Sequence, residues 1–176
     1  MPHRFPETLT DDQAACWQQW LAAVHGSSAV DVALRDLYQR LDAAVAEQPG
    51  VCELSGRCCH FDSYGHLLYV TGLEVAWLVG TLHDDTHAML LDAEGGDGGA
   101  GGCPFQQNKL CSVHTVRPLG CRIYFCDPEA QAWQNAVYEQ FLDELRALHE
   151  RLNLPYRYIE WRAALAQSRQ ADSPAS

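Results

Sequence analysis

The chain has 176 residues, 47% of them hydrophobic, which is enough for one domain with an ordinary core, so cysteine is not required as a staple. Its eight cysteines are too sparse for a small disulfide scaffold, and Met1-Pro2-His3-Arg4-Phe5-Pro6 lacks the apolar stretch of a signal peptide, so the expectation is a cytoplasmic protein with reduced thiols. A formal charge of −11, with Lys109 the only lysine, opposes the basic footprint of a nucleic-acid binder; the longest apolar run, Leu67 to Leu82, is too short for a bilayer, so neither nucleic acid nor membrane is an expected partner.

Thr10-Asp11-Asp12-Gln13 reads as a capping box that opens a helix from about Asp11 to His25, stopped at Gly26. Cys16 lies in it alone and reads as a small buried hydrophobe. Val30, Leu34, Leu37, Leu41 and Val45 then recur at helical spacing in an amphipathic helix that ends near Pro49-Gly50. After the first cysteine group, His66 to Val70 has the composition of a short strand, and Thr71-Gly72-Leu73-Glu74 is a second capping box for a helix to about Val79. That role accounts for Glu74 without making it a ligand or a base. A further short helix is expected from Asp84 or Asp85 to Leu91. The glycine-rich run Gly95 to Gly102 lacks the residues of a phosphate loop and reads as a flexible connector. Asp127-Pro128 caps a long helix whose face is Trp133, Val137, Phe141, Leu145, Leu148 and Leu152, stopped by Asn153 and Pro155. The stretch Tyr156 to Trp161 is expected to begin a final helical turn or two, and the tail from Ser168 is polar and disordered in expectation.

Seven of the eight cysteines fall in two groups, Cys52, Cys58 and Cys59, then Cys103, Cys111, Cys121 and Cys126. Clustered thiolates are soft ligands that suit zinc or iron–sulfur clusters, whereas calcium and magnesium would need carboxylates. Neither the zinc-finger pairs nor the ferredoxin run is present, so spacing leaves the metal open. Seven thiolates exceed the charge of one or two ions, and Arg57, Arg117 and Arg122, interleaved with them, are the cations expected beside a cofactor. His114 and His60 are candidates to complete a coordination shell or carry protons, and Tyr124 to donate a hydrogen bond to a ligand.

Cys52-x5-Cys58-Cys59, Thr71-x2-Glu74, Cys103-Pro104-Phe105 and Cys111-x-Val113-His114-x2-Arg117-Pro118-x2-Cys121-Arg122-x-Tyr124-x-Cys126 together resemble the YkgJ-type cysteine-cluster family, described as zinc- or iron-chelating domain proteins. The cluster also looks similar to one in flagellin lysine methylases, where an iron–sulfur centre is implied; the resemblance therefore favours iron–sulfur over zinc. Where family members carry Cys-x2-Cys-Gly-x-Cys-Cys, this chain has Ser55 before Gly56, and a serine oxygen is a poorer ligand for a soft metal. Either Cys52 takes that place or the site has one thiolate fewer.

The expected fold is a single small metal-centred domain, mainly helical, with short strands and metal-binding loops: a helical part over 1–50, the cysteine core over 51–127, packing helices over 128–167 and a tail over 168–176. The expected function is a cysteine-rich metal-binding protein whose partners are metal ions. The alternatives are a metal-dependent enzyme that modifies a protein or peptide, for example by methyl transfer, and a zinc-stapled interaction module.

Overall fold

The structure, a computed structural model, describes residues 8–49, 56–82, 90 and 101–172. Of the expected helix from Asp84 or Asp85 to Leu91 only Leu90 is described, helical and buried; most of the glycine run, Cys52 and Ser55 lie outside the described residues. The described chain is one small domain, mainly helical.

Helix α1 (Asp11–Gly26) begins with the reciprocal bonds of a capping box: Thr10 N donates to Gln13 Oε1 at 2.9 Å and Gln13 N to Thr10 Oγ1 at 3.3 Å. Helix α2 (Ala29–Ala46) buries Val30, Leu34, Leu37, Tyr38 and Leu41 along one stripe. A short helix α3 (Phe61–Tyr64) leads to strand β1 (Tyr69–Thr71) and helix α4 (Gly72–Gly80). Every residue of α4 from Gly72 to Val79 is buried, as a helix apolar on all sides requires. Gly72 lets α4 approach α1 closely, because a Cβ there would stand 2.0 Å from the indole of Trp20. Trp17, Trp20, Trp77 and Trp161 are all fully buried around these helices. No helix among the described residues is long and apolar enough to cross a membrane.

The second half supplies hairpin strands β2 (Gln106–Gln107) and β3 (Leu110–Cys111), helix α5 (Leu119–Ile123), long helix α6 (Gln131–Arg151), strand β4 (Tyr158–Glu160) and helix α7 (Trp161–Asp172). Several expectations need correction here. Tyr158 to Glu160 is a strand, paired antiparallel with β1 so that Tyr69 faces Glu160, Val70 faces Ile159 and Thr71 faces Tyr158. The tail expected from Ser168 is instead helical to Asp172, because Trp161, Ala164, Leu165 and Ser168 form one buried face. The Asp127-Pro128 signal does cap a helix, but its first turn, Pro128–Ala130, is 3-10, with Asp127 Oδ1 accepting from Glu129 N at 2.9 Å. The strand expected over His66 to Val70 begins only at Tyr69.

The end of α6 is closed by His149, 1% exposed, whose Nδ1 lies 2.9 Å from Pro155 O, the same carbonyl that accepts from Trp20 Nε1 at 2.9 Å. Burial pushes its imidazole below the ordinary value of 6.5, with hydrogen bonds to Pro155 and Leu154 opposing only in part. The folded state therefore holds this proton more weakly than the unfolded chain. Its contribution to stability is present above about pH 6.5 and is lost as pH falls through the depressed folded value. Urea unfolding from pH 7 to 5 should show that loss, and His149→Gln should flatten it; an unchanged slope in the variant would place the acid sensitivity in another group.

Candidate metal centre

Three separate segments bring thiols together, and local backbone chemistry explains each. Gly56, with φ +73°, reverses the chain into the 3-10 turn Arg57–Cys59, and its carbonyl accepts from Gln106 Nε2 at 2.7 Å. A Cβ on Gly56 would come within 2.5 Å of that same nitrogen, so the position needs glycine twice over. Cys103 is attached to this turn by its backbone N–H, which donates to Cys59 O at 2.8 Å. The hairpin then returns the chain at Asn108 and Lys109, φ 51° and 65°, a turn of the type that suits the twist of a two-residue hairpin, and delivers Cys111.

The third segment is positioned by Glu74. Its Oε1 accepts from Tyr38 Oη and Leu119 N, both at 2.8 Å, while Oε2 accepts from Thr71 N at 2.8 Å and Thr71 Oγ1 at 3.1 Å. The capping box read from sequence is present, and the carboxylate reaches beyond it to the first amide of α5, which carries Cys121. Burial lifts the Glu74 carboxyl above its ordinary value, and the bonds from Thr71, Leu119 and Tyr38 pull it back only in part. No local pattern announces the bond to Leu119.

Cys58, Cys59, Cys103, Cys111 and Cys121 all line one cavity of about 60 Å³, with Phe61, His66, Arg117, Tyr124 and Trp161 among the other walls. On the 3-10 turn the Sγ atoms of the adjacent Cys58 and Cys59 are 3.9 Å from each other. None of the seven described cysteines is in a disulfide. Cys126 is exposed and does not line the cavity, and Cys16 is a buried core residue as expected.

The other expected site residues divide. Arg117 and Tyr124 stand in the cavity wall. Arg122 is turned away from it: Nε donates to Arg117 O at 2.8 Å, Nη2 to Thr115 O at 2.8 Å and Nη1 to Asp42 Oδ2 at 2.7 Å, and the guanidinium lies 4.2 Å above the Tyr38 ring. It is a staple between the cysteine loop and α2 rather than a cofactor contact. Arg57 is exposed, 5.7 Å over the Tyr64 ring; His114 is exposed on the turn His114–Val116, and His60 meets Tyr64 edge-on. None of these three lines the cavity. Burial lowers the His114 imidazole, and the charge of Arg117 lowers it further. His66, unremarked in the sequence, is in the wall and stacks on Tyr124 at 4.9 Å.

Electrostatics give the chamber its character. The Cys58 thiol is pushed far up by its contact with Cys59 and by burial, and Cys59 by its contact with Cys103 and by burial. Burial raises Cys111 and Cys121, the latter further through the charges of Cys111 and Cys59. Arg117 opposes the rise at Cys58, Cys111 and Cys121. These thiols cannot all ionise together unless positive charge enters the chamber.

Among the described residues, no group of three or more His, Cys, Asp or Glu side chains is arranged to hold a metal ion. The lining holds five thiols and an imidazole, side chains of the kind that soft metals take as ligands. Arg117 Nε, Trp161 Nε1 and His66 Nδ1 are buried without a hydrogen-bond partner among the described residues, and all three belong to walls of this cavity. Two of them are N–H donors with no acceptor among the described residues, the cavity sulfurs included. No family model, curated protein or solved structure matches the chain.

Glu74→Gln tests the positioning of α5. Each carboxylate oxygen of Glu74 faces a backbone N–H, so an amide must turn its own NH₂ toward one of them. We expect a loss of about 1–3 kcal/mol in urea unfolding; a variant as stable as the parent would show that the buried carboxylate does not hold the segment.

Proposed function

We propose that this chain is a thiolate metal protein whose centre, an iron–sulfur cluster in preference to zinc, is held by Cys58, Cys59, Cys103, Cys111 and Cys121. The observation that carries the reading is the convergence of these five thiols, from three segments, on one cavity. Arg117 supplies positive charge at that cavity, which favours thiolate over thiol at Cys58, Cys111 and Cys121.

The preference for a cluster comes from the unpaired donors. Zinc would add positive charge alone and leave Arg117 Nε and Trp161 Nε1 to sulfurs that are not within their reach. A cluster contains sulfide, which accepts hydrogen bonds. The YkgJ-type order of the cysteines points the same way, with Arg117-Pro118-x2-Cys121-Arg122 supplying one cavity arginine and one staple. When bound, such a cluster supplies one-electron chemistry, and the protein's part is to hold it, donate hydrogen bonds to its sulfur and limit its exposure.

A catalytic role toward a protein or peptide is a second reading, favoured by the open side of the chamber. Cys58 is exposed, and Leu67 and Tyr124 in the wall are 53% and 40% exposed, so a partner's side chain has access. His114 is not placed to carry protons there.

Anaerobic purification with iron, zinc and acid-labile sulfide measured on the sample that gives the visible spectrum tests the proposal. Matched iron and sulfide are expected, lost in Cys121→Ser and retained in Cys126→Ser. Zinc without sulfide would overturn the cluster, and a folded protein that takes up neither metal on reconstitution would overturn the metal centre itself.

A further inference from the structure

We propose that His66 is a nitrogen ligand of this centre, bound through Nδ1. The proposal rests on the thiolate-centre reading above and adds to it a ligand that the cysteine pattern does not contain. His66 Nε2 lies 3.2 Å from the carbonyl oxygen of Cys58. A carbonyl oxygen only accepts, so Nε2 carries the hydrogen, and Nδ1 of the neutral ring presents a bare lone pair. That lone pair is buried, has no donor within reach among the described residues, and belongs to a ring that lines the chamber of five thiols. A buried acceptor without a donor is unfavourable as it stands. A metal ion satisfies it.

The surroundings hold the ring as a ligand needs to be held. Tyr124 stacks on it with ring centroids 4.9 Å apart and planes inclined by 13°, Phe61 meets it edge-on at 5.3 Å, and the His66 backbone N–H donates to Phe61 O at 3.3 Å. Histidines that bind metal usually give their other N–H to a carboxylate or a backbone carbonyl, which fixes the tautomer and the ring orientation. Here that carbonyl belongs to Cys58, so one 3-10 turn positions both a thiol and the imidazole. Imidazole suits zinc and iron alike, so the ligand does not depend on which metal is present. In an iron–sulfur centre, a neutral imidazole in place of a thiolate leaves the centre less negative and raises its reduction potential. His60 and His114, the histidines closer to the cysteines in sequence, do not line the chamber.

X-ray absorption at the metal edge decides it on anaerobically loaded protein of the whole 176-residue chain. A nitrogen scatterer at about 2.0–2.1 Å is expected beside sulfur at about 2.3 Å. It should be lost in His66→Phe, which keeps the aromatic stack, and retained in His60→Gln and His114→Ala. His66→Gln serves if the phenylalanine variant does not fold. A sulfur-only shell in loaded wild-type protein, or a nitrogen shell that survives removal of His66, would overturn the proposal while the metal centre stands. A protein whose metal analysis shows neither iron nor zinc would overturn both.

Discussion

Burying the Glu74 carboxylate, 2% exposed, costs free energy that its four hydrogen bonds must offset, and those bonds tie together three parts of the chain. Tyr38 belongs to α2, Thr71 to the junction of β1 and α4, and Leu119 to the start of the helix that carries Cys121. The cysteine-bearing loop is thereby registered against the hydrophobic core by a group that tolerates little displacement. Arg122 makes a second attachment from the same short helix, through two loop carbonyls, Asp42 and the Tyr38 ring. Tyr38 receives both, which links the two devices through one buried side chain.

The chamber that results is unusual in what it leaves unpaired. Its sulfurs crowd each other and burial and mutual charge favour their protonated form, and among the described residues Arg117 Nε and Trp161 Nε1 lack acceptors and His66 Nδ1 lacks a partner. Each deficit is of the kind that a positively charged, sulfur-containing occupant would remove. Metal uptake in such a site displaces protons and would couple binding to the order of the surrounding loops.

Local signals made much of this legible in the sequence, and long-range geometry limited the rest. Both capping boxes, the stripe of α2 and the helix after Asp127 follow from chemistry within a few residues, and the structure has them. The strand over Tyr158 to Glu160 was hidden because its partner, β1, lies far upstream, and the continuation of the last helix past Ser168 because its buried face is built partly from small and polar residues, Ala164 and Ser168. Cysteine clustering singled out the residues of the chamber but could not separate Cys121 from Cys126; the first is on α5, whereas the second lies beyond its end and is exposed. Arg117 and Arg122 looked equivalent in the motif, yet the start of α5 falls between them and turns one into the chamber and the other onto α2. His66 carried no signal, since a lone histidine at a strand-like start is ordinary until Cys58 O and Tyr124 are seen beside it.

The central claim is that a defined subset of the cysteines shares one metal centre, and thiol footprinting tests it most directly. Anaerobically purified protein is alkylated before and after metal removal, and each cysteine is read by mass spectrometry. The account predicts that Cys58, although exposed, resists alkylation together with Cys59, Cys111 and Cys121 until metal is stripped, while Cys126 reacts throughout. Equal reaction of Cys58 and Cys126 in both states would contradict it.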